Sequence, residues 1–418
     1  MAIIGTGIAG MACGYFLKDR FDITFYEKNF TAGGHTNTVT IDEEGKPVFI
    51  DTGFMVYNEI TYPHLTRFFR ELEIPTKPTS MSFSVQHLPS GLEYCGTGLA
   101  GLFAQRKNIL NPRFLRMLFE IRRFNQQSVE VLSHGEYSDD TLEDYAKKKK
   151  MGEDFLNKYL LPMSSAVWST EPGPMRRFPI VTLVRFFKNH GLLGLTTHFE
   201  WRTLVGGSRV YRDKVLSFFN GRVLLGQAAV QVARQGEKVK VKDSKNAERI
   251  YDHAILACHA DQALGILSDA TDLERHLLKN FRYQKNRATL HTDESIMPKT
   301  KRAWSSWNYR IEIDGHGRAR PTTVYYMNSL QQVSDKKNYF VSINDPGGID
   351  PKKILWETEY EHPIYDREAV KAQEGLPLLN GGRSLFFCGS YFRYGFHEDA
   401  FDSGLEVCRR LTGENIWP

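Results

Sequence analysis

The most constraining feature of the sequence is a glycine-rich segment that directly follows a short apolar run at the N-terminus. The residues from Met1 to Ile4 lead into Gly5-Thr-Gly7-Ile-Ala-Gly10, and small and apolar residues typical of a packed helix come next. In a strand-turn-helix unit of this kind, Gly5 permits the tight turn, Gly7 lets backbone approach a pyrophosphate, and Gly10 lets helix and strand pack closely. The pattern predicts an α/β fold with a dinucleotide-binding unit at its start.

An acidic residue ends the next predicted strand, Asp22-Ile-Thr-Phe-Tyr-Glu27, and lies 17 residues after Gly10. At this spacing a carboxylate can accept hydrogen bonds from both ribose hydroxyls of an adenosine. Because a glycine triplet alone is weak evidence, the prediction depends on the strand, the helix and this acid occurring together.

Composition excludes several classes of protein. The 418 residues exceed one average domain, and no run approaches the ~18 apolar residues of a membrane-spanning helix. A net charge of +5 is too small to indicate nucleic-acid binding, and five dispersed cysteines indicate neither a disulfide framework nor a zinc site. The histidine spacings predict no metal. Because no export signal precedes the first strand, we expect a cytoplasmic protein. Peripheral contact with a membrane surface stays open.

Further glycine motifs extend along the chain. Gly33-Gly34 follows Glu27 by six and seven residues, Gly206-Gly207 lies near the middle, and Gly389 follows a C-terminal apolar strand. This arrangement resembles the flavin amine oxidase superfamily, which includes protoporphyrinogen oxidases and carotenoid desaturases.

Three other segments narrow the resemblance. They are Leu290-His-Thr-Asp293, Trp304-Ser-Ser-Trp307-Asn-Tyr309 and Tyr394-Gly-Phe-His397-Glu-Asp399. Together they are similar to a bacterial family of FAD-binding oxidoreductases that also forms the N-terminal flavin domain of plant cyclopropane fatty acid synthases.

The resemblance implies an amine-oxidase-like α/β fold, in which a Rossmann-type FAD-binding domain carries an inserted α+β substrate domain. The implied FAD-binding pieces are 1–55, 205–265 and 380–418, and the substrate-binding pieces are 56–204 and 266–379. From the residues themselves, apolar spacing predicts helices over 62–73 and 112–132. Alternating aromatic and polar residues predict a half-buried sheet over 285–345.

The resemblance also implies a set of cofactor contacts, with FAD as the cofactor. These residues are Gly5, Gly7, Ile8, Ala9, Gly10, Glu27, Lys28, Gly33, Gly34, His35, Thr36, Gly53, Phe54, Met55, Val230, Gly389, Ser390, Glu398, Asp399 and Ala400. Val230 corresponds to the residue whose backbone holds the adenine. The chain departs from the superfamily at two positions, since His35 replaces a common arginine and Ser390 replaces the usual acid.

Hydride transfer to flavin N5 requires few protein groups, because the protein need only hold a C–H bond near that atom and stabilise the developing charge. The candidates for catalysis are Tyr391, Tyr394 and His397 on the C-terminal loop and His291 on the substrate sheet. His397 is attractive because an unperturbed imidazole titrates near pH ~6.5. A purely structural role is the alternative for His397 and for His291.

A basic segment suggests the substrate class. Between residues 106 and 123, six cations and the single acid Glu120 surround an apolar helical stripe. Such a segment suits an interfacial helix or an anionic headgroup, and it is equally typical of a solvated helix with a core-facing stripe.

We therefore predict an FAD-dependent oxidoreductase acting on an unsaturated fatty acid or acyl lipid, by desaturation or by double-bond isomerisation. Relatives implied by the resemblance are often associated with enzymes that modify acyl chains. Desaturation would need an electron acceptor, which the sequence does not identify. The alternatives are an amine or polyamine oxidase and a non-catalytic flavin-binding partner subunit.

Overall fold

A five-stranded parallel sheet forms the first layer of the computed structural model, which describes residues 1–133, 135–194 and 199–417. The strands lie in the order Val223–Leu224, Thr24–Tyr26, Ala2–Ile4, Ala254–Leu256 and Leu385–Phe387. We call this the cofactor sheet. Its strands come from all three chain segments that the resemblance assigns to FAD binding, and its central strand leads into the glycine turn. Parallel strands of this kind need helical crossovers and are buried on both faces.

Two helices from opposite ends of the chain pack together on this sheet. They are Ile8–Leu17 and His397–Thr412. Their approach requires Gly404, because a Cβ atom there would lie 2.7 Å from the Ala9 carbonyl oxygen. Both helices start at the carboxyl edge of the cofactor sheet, the usual place for a ligand in an open α/β sheet.

A seven-stranded mixed sheet forms the second layer, and we call it the substrate sheet. Its strands lie in the order Ile354–Ile364, Arg282–His291, Phe340–Ile343, Ala319–Tyr326, Trp307–Ile313, Phe83–His87 and Leu92–Cys95. Neighbours are antiparallel except for the fifth and sixth strands, which pair in parallel. The sheet predicted over 285–345 is present, and it extends at both edges beyond that range.

Smaller sheets and helices complete the fold. The other strands are Thr38–Glu43 with Lys46–Asp51; Tyr57–Asn58, Trp201–Leu204 and Thr76–Thr79; and Ala229–Gln235, Lys238–Asp243 and Glu248–Tyr251. The other α-helices are Pro63–Glu71, Gly98–Leu102, Pro112–Gln127, Leu142–Lys148, Glu153–Phe155, Leu161–Trp168, Pro172–Arg176, Ile180–Asn189, Arg209–Leu216, Ala260–Ile266, Asp272–Leu278, Met327–Leu330 and Arg367–Gln373. No helix in the described ranges is long and apolar enough to cross a bilayer.

The two helices predicted in the insertion are confirmed with shorter limits. The first spans Pro63–Glu71, and the second spans Pro112–Gln127 and continues as a 3-10 helix over Ser128–Leu132. Asn111 caps the second helix, because its side-chain oxygen accepts a hydrogen bond from the Arg113 backbone N–H at 3.1 Å.

One buried carboxylate joins three separate segments of the chain. Asp51 accepts hydrogen bonds from the Ser208 backbone N–H at 2.8 Å, from Thr38 Oγ1 at 2.5 Å and from Gln331 Nε2 at 2.6 Å. Burial raises the pKa of Asp51, while these donors lower it. The Gly206-Gly207 turn is held at this junction, because a Cβ at Gly207 would lie 2.5 Å from Thr38 Cγ2.

Candidate active site

A cavity of about 2,120 Å³ is lined by residues of both layers. Single ligand pockets usually enclose ~300–1,000 Å³. The cavity therefore has room for a dinucleotide and for a second ligand beside it.

The first glycine turn has the geometry that a pyrophosphate requires. Gly5 has φ +106°, and a Cβ there would lie 2.5 Å from the Ala257 carbonyl oxygen. A Cβ at Gly10 would lie 2.2 Å from the Gly5 carbonyl oxygen, whereas a Cβ at Gly7 would meet no protein atom within 4 Å. Gly5 and Gly10 are thus required by the packing of the protein itself, and Gly7 faces open space at a helix N-terminus.

The second glycine pair lies against the first turn. Gly33 and Gly34 have φ values of +112° and +57°, and a Cβ at Gly34 would lie 3.7 Å from Gly7 Cα. Glu27 is 6% exposed and accepts hydrogen bonds from Thr6 Oγ1 at 2.6 Å and from the Asn29 backbone N–H at 2.9 Å. The two glycine segments and this carboxylate therefore border one cleft, and their chemistry fits a pyrophosphate and a ribose.

Most of the predicted cofactor residues line this cavity. They are Gly5, Gly7, Ile8, Ala9, Glu27, Lys28, Gly33, Gly34, His35, Gly53, Phe54, Met55, Gly389, Ser390 and Ala400. The structure places Gly10, Thr36, Val230, Glu398 and Asp399 outside the lining. Gly10 remains essential to the turn because of its contact with Gly5.

His35 belongs to a pair of neutral imidazoles. Its Nε2 lies 3.2 Å from Nε2 of His362, whose Nδ1 accepts a hydrogen bond from the Asn286 amide at 2.6 Å. Burial lowers the pKa of His35 to about 4 and that of His362 to about 3. The position that commonly holds an arginine in the superfamily therefore carries no charge at neutral pH.

The C-terminal helix places His397 and Ala400 in the cavity, because residues three apart share a helix face. The His397 ring stacks on Phe54 with a centroid distance of 3.9 Å, and its Nε2 lies 3.0 Å from Tyr211 Oη. Burial lowers the pKa of His397 well below its usual value. The sequence argument from a titration near neutral pH is therefore corrected, because His397 is a neutral imidazole held by a hydrogen bond and by stacking.

The side chains of Glu398 and Asp399 cap helices, and neither residue is part of the cavity lining. Glu398 accepts hydrogen bonds from the backbone N–H groups of His64 at 2.8 Å and Leu65 at 3.0 Å, and so caps helix Pro63–Glu71. Asp399 accepts a hydrogen bond from the Phe396 N–H at 2.9 Å and caps its own helix. Burial raises the pKa of Asp399 to about 7.

Three other predicted residues are displaced from the lining. His291 is fully buried in the substrate sheet, where its Nε2 lies 2.8 Å from Ser342 Oγ and its ring stacks on Phe340. Its candidacy as a catalytic group is corrected, since it does not reach the cavity. Thr36 lies behind the lining and contacts Tyr211. Val230 is 46% exposed, and the lining at this edge is formed by the preceding Ala228 and Ala229.

Tyr391 and Tyr394 both line the cavity. Tyr391 is 1% exposed, and its hydroxyl has no hydrogen-bond partner among the residues that the structure describes. Burial raises the pKa of both phenols, so each is a neutral donor. Because the Tyr391 hydroxyl oxygen is itself buried although the cavity is open, it does not face a ligand there, and Tyr391 contributes its other atoms to the wall.

Away from the glycine turns, the cavity wall is apolar, and we call this part the substrate chamber. Its walls include Met81, Phe83, Leu102, Leu118, Ile121, Met163, Val167, Trp168, Phe186, Trp307 and Tyr325. The substrate sheet and the helix Leu161–Trp168 each contribute three of these side chains, and the helix Pro112–Gln127 contributes two. The chamber is continuous with the cofactor cleft, so a ligand in it can extend toward a dinucleotide bound in that cleft.

Sequence reasoning missed part of the lining. Trp356, Thr358, Tyr360 and His362 alternate along the edge strand of the substrate sheet and line the cavity, and His259 stacks on Tyr283 at 4.2 Å. Period-two alternation beyond residue 345 was the available signal. The described residues contain no group of three or more His, Cys, Asp or Glu side chains arranged to hold a metal.

The sequence model of the family described as flavin containing amine oxidoreductase matches residues 8–299. No curated protein sequence matches the chain.

Solved structures with the same fold include amine oxidases and a fatty acid isomerase. Cyclohexylamine oxidase from Brevibacterium oxydans IH-35A has a TM-score of 0.70 and 15% identity, covering 99% of this chain and 98% of that one. Putrescine oxidase bound to putrescine has a TM-score of 0.68 and 11% identity, with 99% and 98% coverage. A CLA-producing fatty acid isomerase from P. acnes has a TM-score of 0.67 and 13% identity, with 98% and 97% coverage. These identities show a shared fold.

The family model covers more than half of the chain, and the glycine cleft has the shape that its cofactor needs. The chain belongs to the flavin-containing amine oxidoreductase family and is an FAD-dependent oxidoreductase.

Proposed function

We propose that this enzyme acts on an unsaturated fatty acyl chain, which it desaturates or whose double bond it moves. The observation that carries the proposal is the apolar substrate chamber joined to the cofactor cleft. An acyl chain gains roughly 0.8 kcal/mol for each CH₂ group buried in such a chamber. The fold is compatible with this chemistry, since the fatty acid isomerase and the amine oxidases share it.

The charges along the chamber favour an anionic or neutral ligand. Arg122 lines the chamber rim and has no ion-pair partner among the described residues. Apart from Glu27 in the cofactor cleft, the acids of the described lining are Glu200, Glu359 and Glu361. Glu200 is exposed and paired with Arg202 at 3.0 Å, Glu359 is exposed and paired with Lys285 at 2.9 Å, and Glu361 is half-buried and lies 3.5 Å from His259. A buried carboxylate able to hold a substrate ammonium is therefore missing from the described chamber wall, and Arg122 is placed to meet a carboxylate or phosphate.

When bound, the flavin supplies a hydride acceptor at N5. The chain's own residues hold the acyl chain in the chamber, exclude water with aromatic walls, and offer uncharged donors at Tyr394 and His397. These neutral groups can stabilise a charge that develops during C–H cleavage without binding a resting anion. Desaturation removes two hydrogens and needs an electron acceptor, whereas isomerisation returns hydride to another carbon and needs none.

The experiment is anaerobic mixing of the FAD-loaded enzyme with a diunsaturated fatty acid, with its phospholipid ester and, separately, with putrescine and cyclohexylamine. Flavin absorbance and product double-bond positions are recorded together. Bleaching with a new double bond identifies a desaturase, and a moved double bond without lasting bleaching identifies an isomerase. Bleaching by an amine alone would refute the acyl proposal, and inertness toward every compound would favour a non-catalytic flavin subunit.

Arg122→Gln tests the orientation of the substrate, with Arg113→Gln as the matched control, because Arg113 is exposed on the same helix and does not line the cavity. Since Arg122 is itself exposed, we expect its loss to raise KM for an acyl anion by about three- to five-fold. An equal effect of the two substitutions would remove Arg122 from substrate binding.

A further inference from the structure

An exposed apolar and basic surface lies beside the substrate chamber, and two of its members, Leu99 and Arg122, also line the cavity. Its apolar members and their exposures are Leu99 75%, Ile109 50%, Leu110 88%, Leu115 42% and Phe119 65%. Its exposed cations are Arg106, Lys107, Arg113, Arg116 and Arg122. We call these ten residues the rim patch.

The positive charge of the whole protein is concentrated in this segment. Residues 96–127 contain six of the chain's 54 Lys and Arg residues and one of its 49 Asp and Glu residues, which leaves 48 of each elsewhere. The single acid, Glu120, is 4% exposed and is held by Arg116 at 3.1 Å and by the Gly152 backbone N–H at 3.1 Å. Its charge therefore points inward, and the outer surface remains basic.

The neighbouring loop adds to this charge. Lys299, Lys301 and Arg302 are exposed, and the short 3-10 helix Lys301–Ala303 packs beside helix Gly98–Leu102. The basic surface thus continues across a second chain segment.

The rim patch is continuous with the entrance to the chamber. On helix Pro112–Gln127, Leu115, Phe119 and Arg122 share the outward face, since residues three and four apart are neighbours. Leu118 and Ile121, on the adjoining face, line the chamber. The same helix therefore presents apolar side chains to the outside and to the cavity, with cations along its border.

We propose that the rim patch docks on a bilayer containing anionic lipid, with Leu110 and Phe119 inserted at the level of the headgroups and the chamber entrance facing the membrane. Exposed apolar side chains bordered by Lys and Arg match the surface of an anionic bilayer, whose headgroups are negatively charged and whose acyl chains beneath them are apolar. An acyl chain could then enter the chamber without crossing water. The inference complements the proposed acyl function, and vesicle binding needs no turnover, so either can fail alone.

Vesicle co-sedimentation tests the proposal, using the full-length FAD-loaded protein with vesicles of phosphatidylcholine alone or with 30% phosphatidylglycerol. We expect binding to the anionic vesicles, weak binding to the neutral ones, and release on raising the salt from about 0.1 M to 1 M, where the screening length falls from about 10 Å to about 3 Å. Arg106→Glu with Arg113→Glu should weaken binding by at least about 25-fold, since each cation near such a surface contributes roughly five-fold. Equal binding to both vesicle types, or none, would overturn the proposal.

The matched control is Arg275→Glu with Lys279→Glu, which reverses two exposed cations near the cofactor sheet and should leave vesicle binding unchanged. Insertion is measured with Phe119→Trp, whose emission should shift to the blue and be quenched by brominated lipid in anionic vesicles only. An unshifted emission would contradict insertion. The wild-type protein could instead fail to bind vesicles and form a soluble oligomer that the double substitution Leu110→Ser with Phe119→Ser dissociates. That result would identify the patch as a protein interface and refute membrane docking.

Discussion

Gly7→Val should separate cofactor binding from folding. Gly7 has φ −63°, which any residue can adopt, and a Cβ there meets no protein atom within 4 Å. The cofactor-free protein should therefore fold, with a loss of about 1 kcal/mol or less because valine is a poorer helix N-cap than glycine. The added methyl groups would occupy the space where the pyrophosphate approaches the helix.

The effect on FAD can be scaled from the contacts that would be lost. Hydrogen bonds to charged groups contribute roughly 1.5–3 kcal/mol each, so loss of one backbone contact to phosphate should weaken FAD binding by about 10- to 150-fold. Loss of two would leave a protein that is purified colourless.

Gly10→Val is the contrasting variant. A Cβ at Gly10 would lie 2.2 Å from the Gly5 carbonyl oxygen, so helix and strand must move apart even without cofactor. Overpacking of this kind costs about 1–3 kcal/mol or more. Flavin titration and thermal unfolding of both cofactor-free variants form the assay. Normal flavin affinity in Gly7→Val, or a normal unfolding temperature in Gly10→Val, would refute the reasoning.

Three further substitutions test the site. Glu27→Gln should weaken FAD binding by about 10- to 150-fold in the same titration, and an unchanged affinity would show that Glu27 does not hold the ribose. The pKa of Asp399 in the folded protein is about 7, above the usual 3.8, so the protonated carboxyl stabilises the fold most below pH 4. As the pH rises to 7 and Asp399 ionises, the free energy of unfolding should fall by up to about 4 kcal/mol. Asp399→Asn should flatten that part of the profile of unfolding free energy against pH, and a profile identical to wild type would contradict the raised pKa. His397→Gln should retain flavin and lower the turnover rate, by about 10²-fold or more if the imidazole moves a proton. The dependence of the rate on pH between pH 6 and 8 should be the same as in wild type, because His397 is neutral throughout that range. A shifted pH profile would show that His397 titrates there.

The cofactor half of the site could be predicted because its signals are local in sequence. The turn from Gly5 to Gly10 and the acid at Glu27 are fixed by the sterics of one strand-turn-helix unit, so spacing alone indicates their geometry. The Gly33-Gly34 pair joins them because it directly follows Glu27 on the adjoining loop.

The positions of the catalytic candidates could not be predicted from residue spacing, because they depend on tertiary packing. His397, Glu398 and Asp399 are consecutive, yet only the histidine faces the cavity, because the other two cap helix termini. The low pKa of His397 arises from burial beneath Phe54, a residue more than 300 positions away. His291 was misassigned because alternation in a strand indicates which residues share a face and not which layer covers that face.

The central claim, that the substrate chamber receives an unsaturated acyl chain, is tested most directly by mass spectrometry of cellular lipids with double-bond localisation. Cells producing the wild-type protein are compared with cells producing Gly7→Val at equal abundance. We predict that wild type alone changes the number or the position of double bonds in acyl chains, with headgroups and chain lengths unaltered. Identical lipids in the two strains, together with a change in cellular amines, would contradict the account.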